Sequence, residues 1–147
     1  NMTHIQVNAI IETDAHRVWT VLTHPRSITR LNPHIQQLAS QPSPLGGYNQ
    51  QWAYMMGRMK LFTQAQIVRY VEAQHLNIRL VGELCGQWTY WLESDGYWSH
   101  ISLTIDYELP FSKVGAALHA LVLEPEQMML AQLQLERLRQ FCERKAA

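Results

Sequence analysis

The sequence predicts an α+β domain: one antiparallel sheet whose apolar face is covered by a C-terminal helix. Three observations predict it. From Tyr48 to Leu109, strand-like segments follow one another with short breaks. The Asp95-Gly96 pair is a strong hairpin signal, because a type I′ turn needs positive φ at both central residues. After Pro110 the apolar residues change to helical spacing and keep it to the end of the chain.

Residues 3–12, THIQVNAIIE, alternate apolar and polar at first and read as a strand. Thr13 or Asp14 can cap the next helix by offering a side-chain oxygen to free backbone N–H groups. That helix is expected to bury Ala15, Val18, Trp19 and Leu22. Pro25 ends it, since the residue before a proline is pushed out of helical space. A second helix of under two turns carries Ile28 and Leu31, and Pro33 closes it. Residues 34–41 read as a strand, and SQPSPLGGY is a turn by composition.

Five more strands follow: YNQQWAYMM, KLFTQAQIVRYV, HLNIRLVG, CGQWTYWLE and YWSHISLTIDYEL. If Asp95 and Gly96 form a two-residue loop, Ser94 pairs with Tyr97, Leu92 with Ser99, Tyr90 with Ile101 and Trp88 with Leu103. Cross-strand partners share a face. One face then collects Trp88, Tyr90, Leu92, Ile101, Leu103, Ile105 and Tyr107, and the other is polar apart from Trp91 and Trp98. In the same register Trp91 opposes His100 and Trp98 opposes Glu93, which would set the two indoles side by side as a contact patch for a possible homodimer.

The closing helix is expected to bury Val114, Leu118, Leu121, Pro125, Met128, Leu135, Leu138 and Cys142, with Ala117, Val122 and Met129 beside them. Pro125 should kink or interrupt it. No linker, repeat or low-complexity segment divides the chain, so residues 1–147 form a single domain.

The totals restrict function. Of 147 residues, 47% are hydrophobic and 16% charged, and 12 Lys plus Arg balance 12 Asp plus Glu. That is a globular composition without the cationic surplus that phosphate binding requires, so no nucleic-acid partner is expected. Two distant cysteines, Cys85 and Cys142, offer no disulfide framework and fit a reducing, cytoplasmic setting. The start of the chain lacks the pattern of a signal peptide, and no stretch approaches a membrane span, so no stable membrane insertion is expected. The seven histidines lack HxH or HxxxH spacing, so neither a metal site nor another cofactor is expected. GELCG, at 82–86, has the wrong spacing for a nucleophile elbow, and no phosphate-binding loop occurs. Asp106 and Glu108 fall on the wet face, and Glu12 and Asp14 sit at a helix start, where carboxylates are favoured structurally.

What remains is the apolar face. Trp52, Tyr54 and Met56 share one parity, Leu76, Ile78 and Leu80 another, and Ile67 points in with Thr63 and Ala65. Such a face is either a fully packed core or a pocket with apolar walls and a few polar handles, the usual construction of a small-molecule site.

The order of strand, two small helices, six strands and one long helix resembles the helix-grip fold of the START-like (SRPBCC) superfamily, most closely its polyketide cyclase/dehydrase and lipid-transport branch. Three stretches carry the resemblance over nearly the whole chain: IQVNAIIETDAHRVWTVLTHPRSITRLNPHI, CGQWTYWLESDGYWSHISLTIDYELP and GAALHALVLEPEQMMLAQLQLERLRQFCE. None is a catalytic motif. The resemblance implies a curved sheet of about seven strands, wrapped on the C-terminal helix, with the two small helices at one end and a hydrophobic cavity between. It implies binding or transport of a hydrophobic small molecule (a lipid, a polyketide-like or an aromatic compound). The ligand-binding residues would be Trp52, Tyr54, Met56, Ile67, Ile78, Trp88, Tyr90, Leu92, Ile101, Leu103, Ile105, Tyr107, Leu118, Leu121 and Val122. Two alternatives stay open. One is a cofactor-independent cyclase, aromatase or dehydratase acting on a carbonyl substrate, with a tyrosine and Arg30, Asn32 or His119 moving protons. The other is a protein-interaction module using Trp91 and Trp98.

Overall fold

A computed structural model of the chain describes residues 2–109 and 118–144. Strand β1 is Thr3–Ile11, followed by helices α1 (Ala15–Leu22) and α2 (Ser27–Leu31). Six strands come next: β2 (Ile35–Pro42), β3 (Tyr48–Met56), β4 (Met59–Val71), β5 (His75–Gly82), β6 (Cys85–Ser94) and β7 (Ser99–Glu108). A π-helical turn, His119–Leu123, leads into the long helix α3, Glu124–Glu143. The seven strands form one antiparallel sheet in the order β1-β7-β6-β5-β4-β3-β2.

Local chemistry sets the boundaries around the small helices. Asp14 is the cap, its carboxylate accepting the Arg17 N–H at 2.9 Å, and that bond lowers its pKa. Thr23 closes α1 with both its N–H and its hydroxyl on the Trp19 carbonyl. Asn32 ends α2 in an extended conformation, as a residue before proline must. Val18, Trp19, Leu22, Ile28 and Leu31 turn inward, and Ala15 packs at the edge of the same core.

The inward parity holds along the sheet. Trp52, Tyr54, Met56, Thr63, Ala65, Ile67, Trp88, Tyr90, Leu92, Ile101, Leu103, Ile105 and Tyr107 are buried, and Ile78 is partly so. The β6–β7 register differs from expectation by two residues. Ser94 pairs with Ser99, Leu92 with Ile101, Tyr90 with Leu103 and Trp88 with Ile105. The loop therefore has four residues, 95–98, held by the Asp95 carboxylate accepting the Tyr97 and Trp98 N–H groups. A shift of two preserves every face but separates the two indoles: Trp98 joins the loop, and Trp91 lies between His75 and Ser102. The expected side-by-side patch is not formed. Instead Trp91 stacks on His75 at 3.8 Å between ring centroids and covers it.

The closing helix also departs from expectation. Its buried stripe is Leu123, Gln127, Leu130, Ala131, Gln134, Leu135, Leu138 and Cys142. Leu118, Val122, Met128 and Met129, expected inside, are exposed, as is Pro125. Within α3 the buried positions from Gln127 to Cys142 share one side of the helix, and Pro125 and Met129 fall on the other with Met128 at the edge. Pro125 lies in the first turn of α3, where its missing N–H is harmless, and no break follows. Val114 and Ala117, and the Leu121 side chain, lie outside the described residues.

Candidate functional site

Where α1 and α2 meet the sheet, the packing leaves a cavity of about 50 Å³. Trp52 and Trp88 form its aromatic wall, with ring centroids 5.2 Å apart and planes tilted by 48°. Ile67, Leu76, Ile78 and Tyr90 continue the sheet side, and Leu22, Ile28 and Leu31 close the helical side. The rim carries Thr23, His24, Ser27, Tyr48 and Gln50. Among the described residues, no Asp, Glu, Lys or Arg lines it.

The proline-punctuated helices build this mouth. Because α1 stops, the Pro25 carbonyl is available, and it accepts the Gln50 amide at 2.8 Å. The same Gln50 accepts the Trp52 indole N–H at 2.8 Å, so one side chain ties the aromatic wall to the interhelical corner. The β2–β3 turn closes from the other side. Gly47 sits at φ +66°, and a Cβ there would stand 2.6 Å from Ile67 Cδ1. Tyr70, against Gly46, is fixed by the Trp19 N–H at 2.9 Å.

Behind the cavity lies a buried polar cluster. Tyr54 donates to Gln127 Oε1 at 2.6 Å and accepts from Asn32 Nδ2 at 3.3 Å. Asn32 also reaches Gln134 Oε1 at 3.5 Å, and Gln134 Nε2 bonds the Tyr90 hydroxyl in a short contact. Burial pushes the pKa values of Tyr54 and Tyr90 well above a free phenol's, so both stay protonated. Tyr107 stands apart, its hydroxyl 2.8 Å from His119 Nε2 and its pKa pushed up to about 12, chiefly by burial.

Of the residues expected to bind ligand, Trp52, Ile67, Ile78, Trp88 and Tyr90 wall the cavity. Tyr54, Met56, Leu92, Ile101, Leu103, Ile105 and Tyr107 are buried in close packing away from it. Leu118 and Val122 are exposed and do not line it. Arg30 is exposed on α2. Gln127 and Gln134 were missed altogether, since buried glutamines carry no hydropathy signal, and Asn32, named only as a group that could move protons, is 1% exposed and bonded to Tyr54. No group of three or more His, Cys, Asp or Glu among the described residues is arranged to hold a metal, and no described helix is long and apolar enough to cross a membrane.

No protein-family model matches the sequence, and no curated protein matches it. Solved structures do match in shape. The protein TTHA0849 from Thermus thermophilus aligns with a TM-score of 0.78 at 14% identity, covering 95% of this chain and 97% of that one. The Zhui aromatase/cyclase from Streptomyces sp. R1128 aligns with a TM-score of 0.70 at 14% identity, covering 96% of each chain. A START superfamily protein from Mycobacterium smegmatis aligns with a TM-score of 0.65 at 11% identity, covering 92% of this chain and 90% of that one. With its seven-stranded antiparallel sheet, two short helices and long C-terminal helix, the chain has the helix-grip fold of the START-like superfamily.

Proposed function

We propose that the chain binds a small, neutral, largely hydrophobic molecule non-covalently in the cavity between α2 and the sheet. The observation that carries this reading is an uncharged cavity walled by Trp52 and Trp88, with a buried tyrosine at its inner end. Apolar walls with few polar handles are the usual construction of a ligand site. Size narrows the ligand. One water needs roughly 10–15 Å³ of such space, so the cavity as it stands holds about three to five waters, far below the roughly 300–1,000 Å³ of a drug-sized site. A single ring is the ligand class closest to that size. A long lipid or an extended polyketide needs a larger rearrangement.

The cyclase reading has the likeness to the Zhui aromatase/cyclase behind it. The interior chemistry favours binding instead, because Tyr54 and Tyr90 are held protonated and suit donation rather than proton abstraction. Native mass spectrometry of protein purified from its own host tests the proposal. A retained small molecule, lost from an Ala65→Leu variant whose new side chain fills the cavity, is the expected result. A retained molecule that Ala65→Leu leaves bound would place the site elsewhere.

A further inference from the structure

The polar groups that line the cavity are not equally engaged. The Trp52 indole N–H is accepted by Gln50, and the Gln50 amide donates to the Pro25 carbonyl and to Ser40. The hydroxyls of Thr23 and Ser27 donate to the Trp19 and Leu22 carbonyls, each at 2.7 Å. His24 accepts the Arg26 N–H, and the Tyr90 hydroxyl is held by Gln134. Tyr48, on the rim, is partly exposed to solvent. The Trp88 indole N–H differs from all of these. No described residue accepts it, although Trp88 is only 2% exposed. Nor is its nitrogen among the side-chain atoms sealed without a partner, which among the described residues are Gln37 Oε1, His75 Nδ1 and Gln127 Nε2. It therefore keeps open surface. Because Trp88 lies on the inward face and lines the cavity, that surface belongs to the cavity.

We propose that the Trp88 N–H selects ligands that set a neutral hydrogen-bond acceptor, such as a ring nitrogen or an uncharged oxygen, against it. The inference rests on the cavity being a ligand site and narrows what that site takes. An indole N–H donates and cannot accept, so only an acceptor inside the cavity can pair with it. Water can fill that place. A ligand that displaces the water without bringing an acceptor forfeits the bond, whereas one that brings an acceptor keeps it. The acceptor is neutral, because no Lys or Arg lines the cavity among the described residues and a desolvated anion would go uncompensated. The contact orients and selects, and it moves no proton.

Pyridine and benzene test this, being alike in size and differing by one acceptor. Both are titrated at a mildly alkaline pH, where pyridine is neutral. The readouts are the indole N–H resonances of the protein and the nitrogen resonance of isotope-labelled pyridine. Pyridine should move the Trp88 N–H proton downfield of its position in the benzene complex and leave the Trp52 proton alike in both. The nitrogen of bound pyridine should resonate upfield of its position in alkane solution. In Trp88→Phe both probes meet the same altered cavity, so their ratio isolates the hydrogen bond. The pyridine-to-benzene affinity ratio should fall about fivefold there. If that variant does not fold, the resonances of the unaltered protein decide alone. A Trp88 proton placed alike in the two complexes, a bound pyridine nitrogen resonating as in alkane, or a ratio unchanged in Trp88→Phe overturns the inference. Failure of both probes to bind would instead remove the ligand-site reading.

Discussion

The two ends of the sheet are built from the same alternation of apolar and polar residues, yet they finish differently. At the end formed by β1, β7 and the last turns of α3, Ile5, Ile101, Leu103, Leu135 and Leu138 close on one another, each no more than 2% exposed. At the end under α2, the wall residues Trp52, Ile67, Trp88 and Tyr90 leave a cavity. The cause is what faces the sheet. The closed end meets twenty residues of continuous helix, whereas the open end meets a five-residue helix cut off by Pro25 and Pro33. A short helix cannot present enough side chains to fill the concavity, and the Gln50 bond to the Pro25 carbonyl holds it at that distance.

The contrast is broken most severely at the closed end. Leu103→Ala should cost about 2–5 kcal/mol by chemical denaturation, because no mobile element can collapse onto the hole, and it should leave ligand affinity unchanged. At the open end, Ala65→Leu adds comparable volume next to existing space. It should change stability by no more than about 1 kcal/mol while abolishing small-molecule binding in the NMR titration. A large loss of stability there would mean that the cavity is not available space.

Tyr90→Phe is a finer probe of the same end. It removes one neutral hydrogen-bonding group, so ligand affinity should fall by about 1 kcal/mol as measured by isothermal titration. A loss of a hundredfold or more in turnover of a hydroxy-carbonyl substrate would make the cyclase alternative correct.

The smallest effect lies on the outer face. Burial beneath Trp91 lowers the pKa of His75, with the nearby Arg69 charge adding to the shift. A histidine more readily protonated when unfolded contributes full stability above its ordinary value near 6.5. That contribution declines as pH falls through this value toward the lowered folded-state one. Trp91→Ala should uncover the ring, move its NMR titration back toward the ordinary value and flatten this part of the stability–pH profile.

The inward faces of Trp52, Tyr54, Met56, Trp88, Tyr90, Leu92, Ile101, Leu103, Ile105 and Tyr107 were legible because a strand has a period of two, and even the misplaced β6–β7 loop shifted the pairing by two and preserved them. The partners were not legible: the Asp95-Gly96 signal implied a two-residue loop, whereas the Asp95 carboxylate bridging to Tyr97 and Trp98 stabilises a longer one. Along the closing helix, Leu118, Val122, Met128 and Met129 proved exposed because the buried side carries Gln127 and Gln134 among its apolar residues, which blurs the apolar spacing. Trp52, Ile67, Ile78, Trp88 and Tyr90 were placed on the inward face by parity. Asn32, Gln127 and Gln134 could not be found that way, because their burial follows from a polar cluster that brings β3, β6 and two helices together.

The space under α2 is expected to admit a ligand in the folded protein. Titration of native, indole-labelled protein with benzene tests it most directly. Saturable shifts of the Trp52 and Trp88 indole resonances are expected, one site per chain, with the Trp91 and Trp98 resonances unmoved and the response lost in Ala65→Leu. Shifts that never saturate, or that emerge only as the protein begins to unfold, would show a packed interior and contradict it.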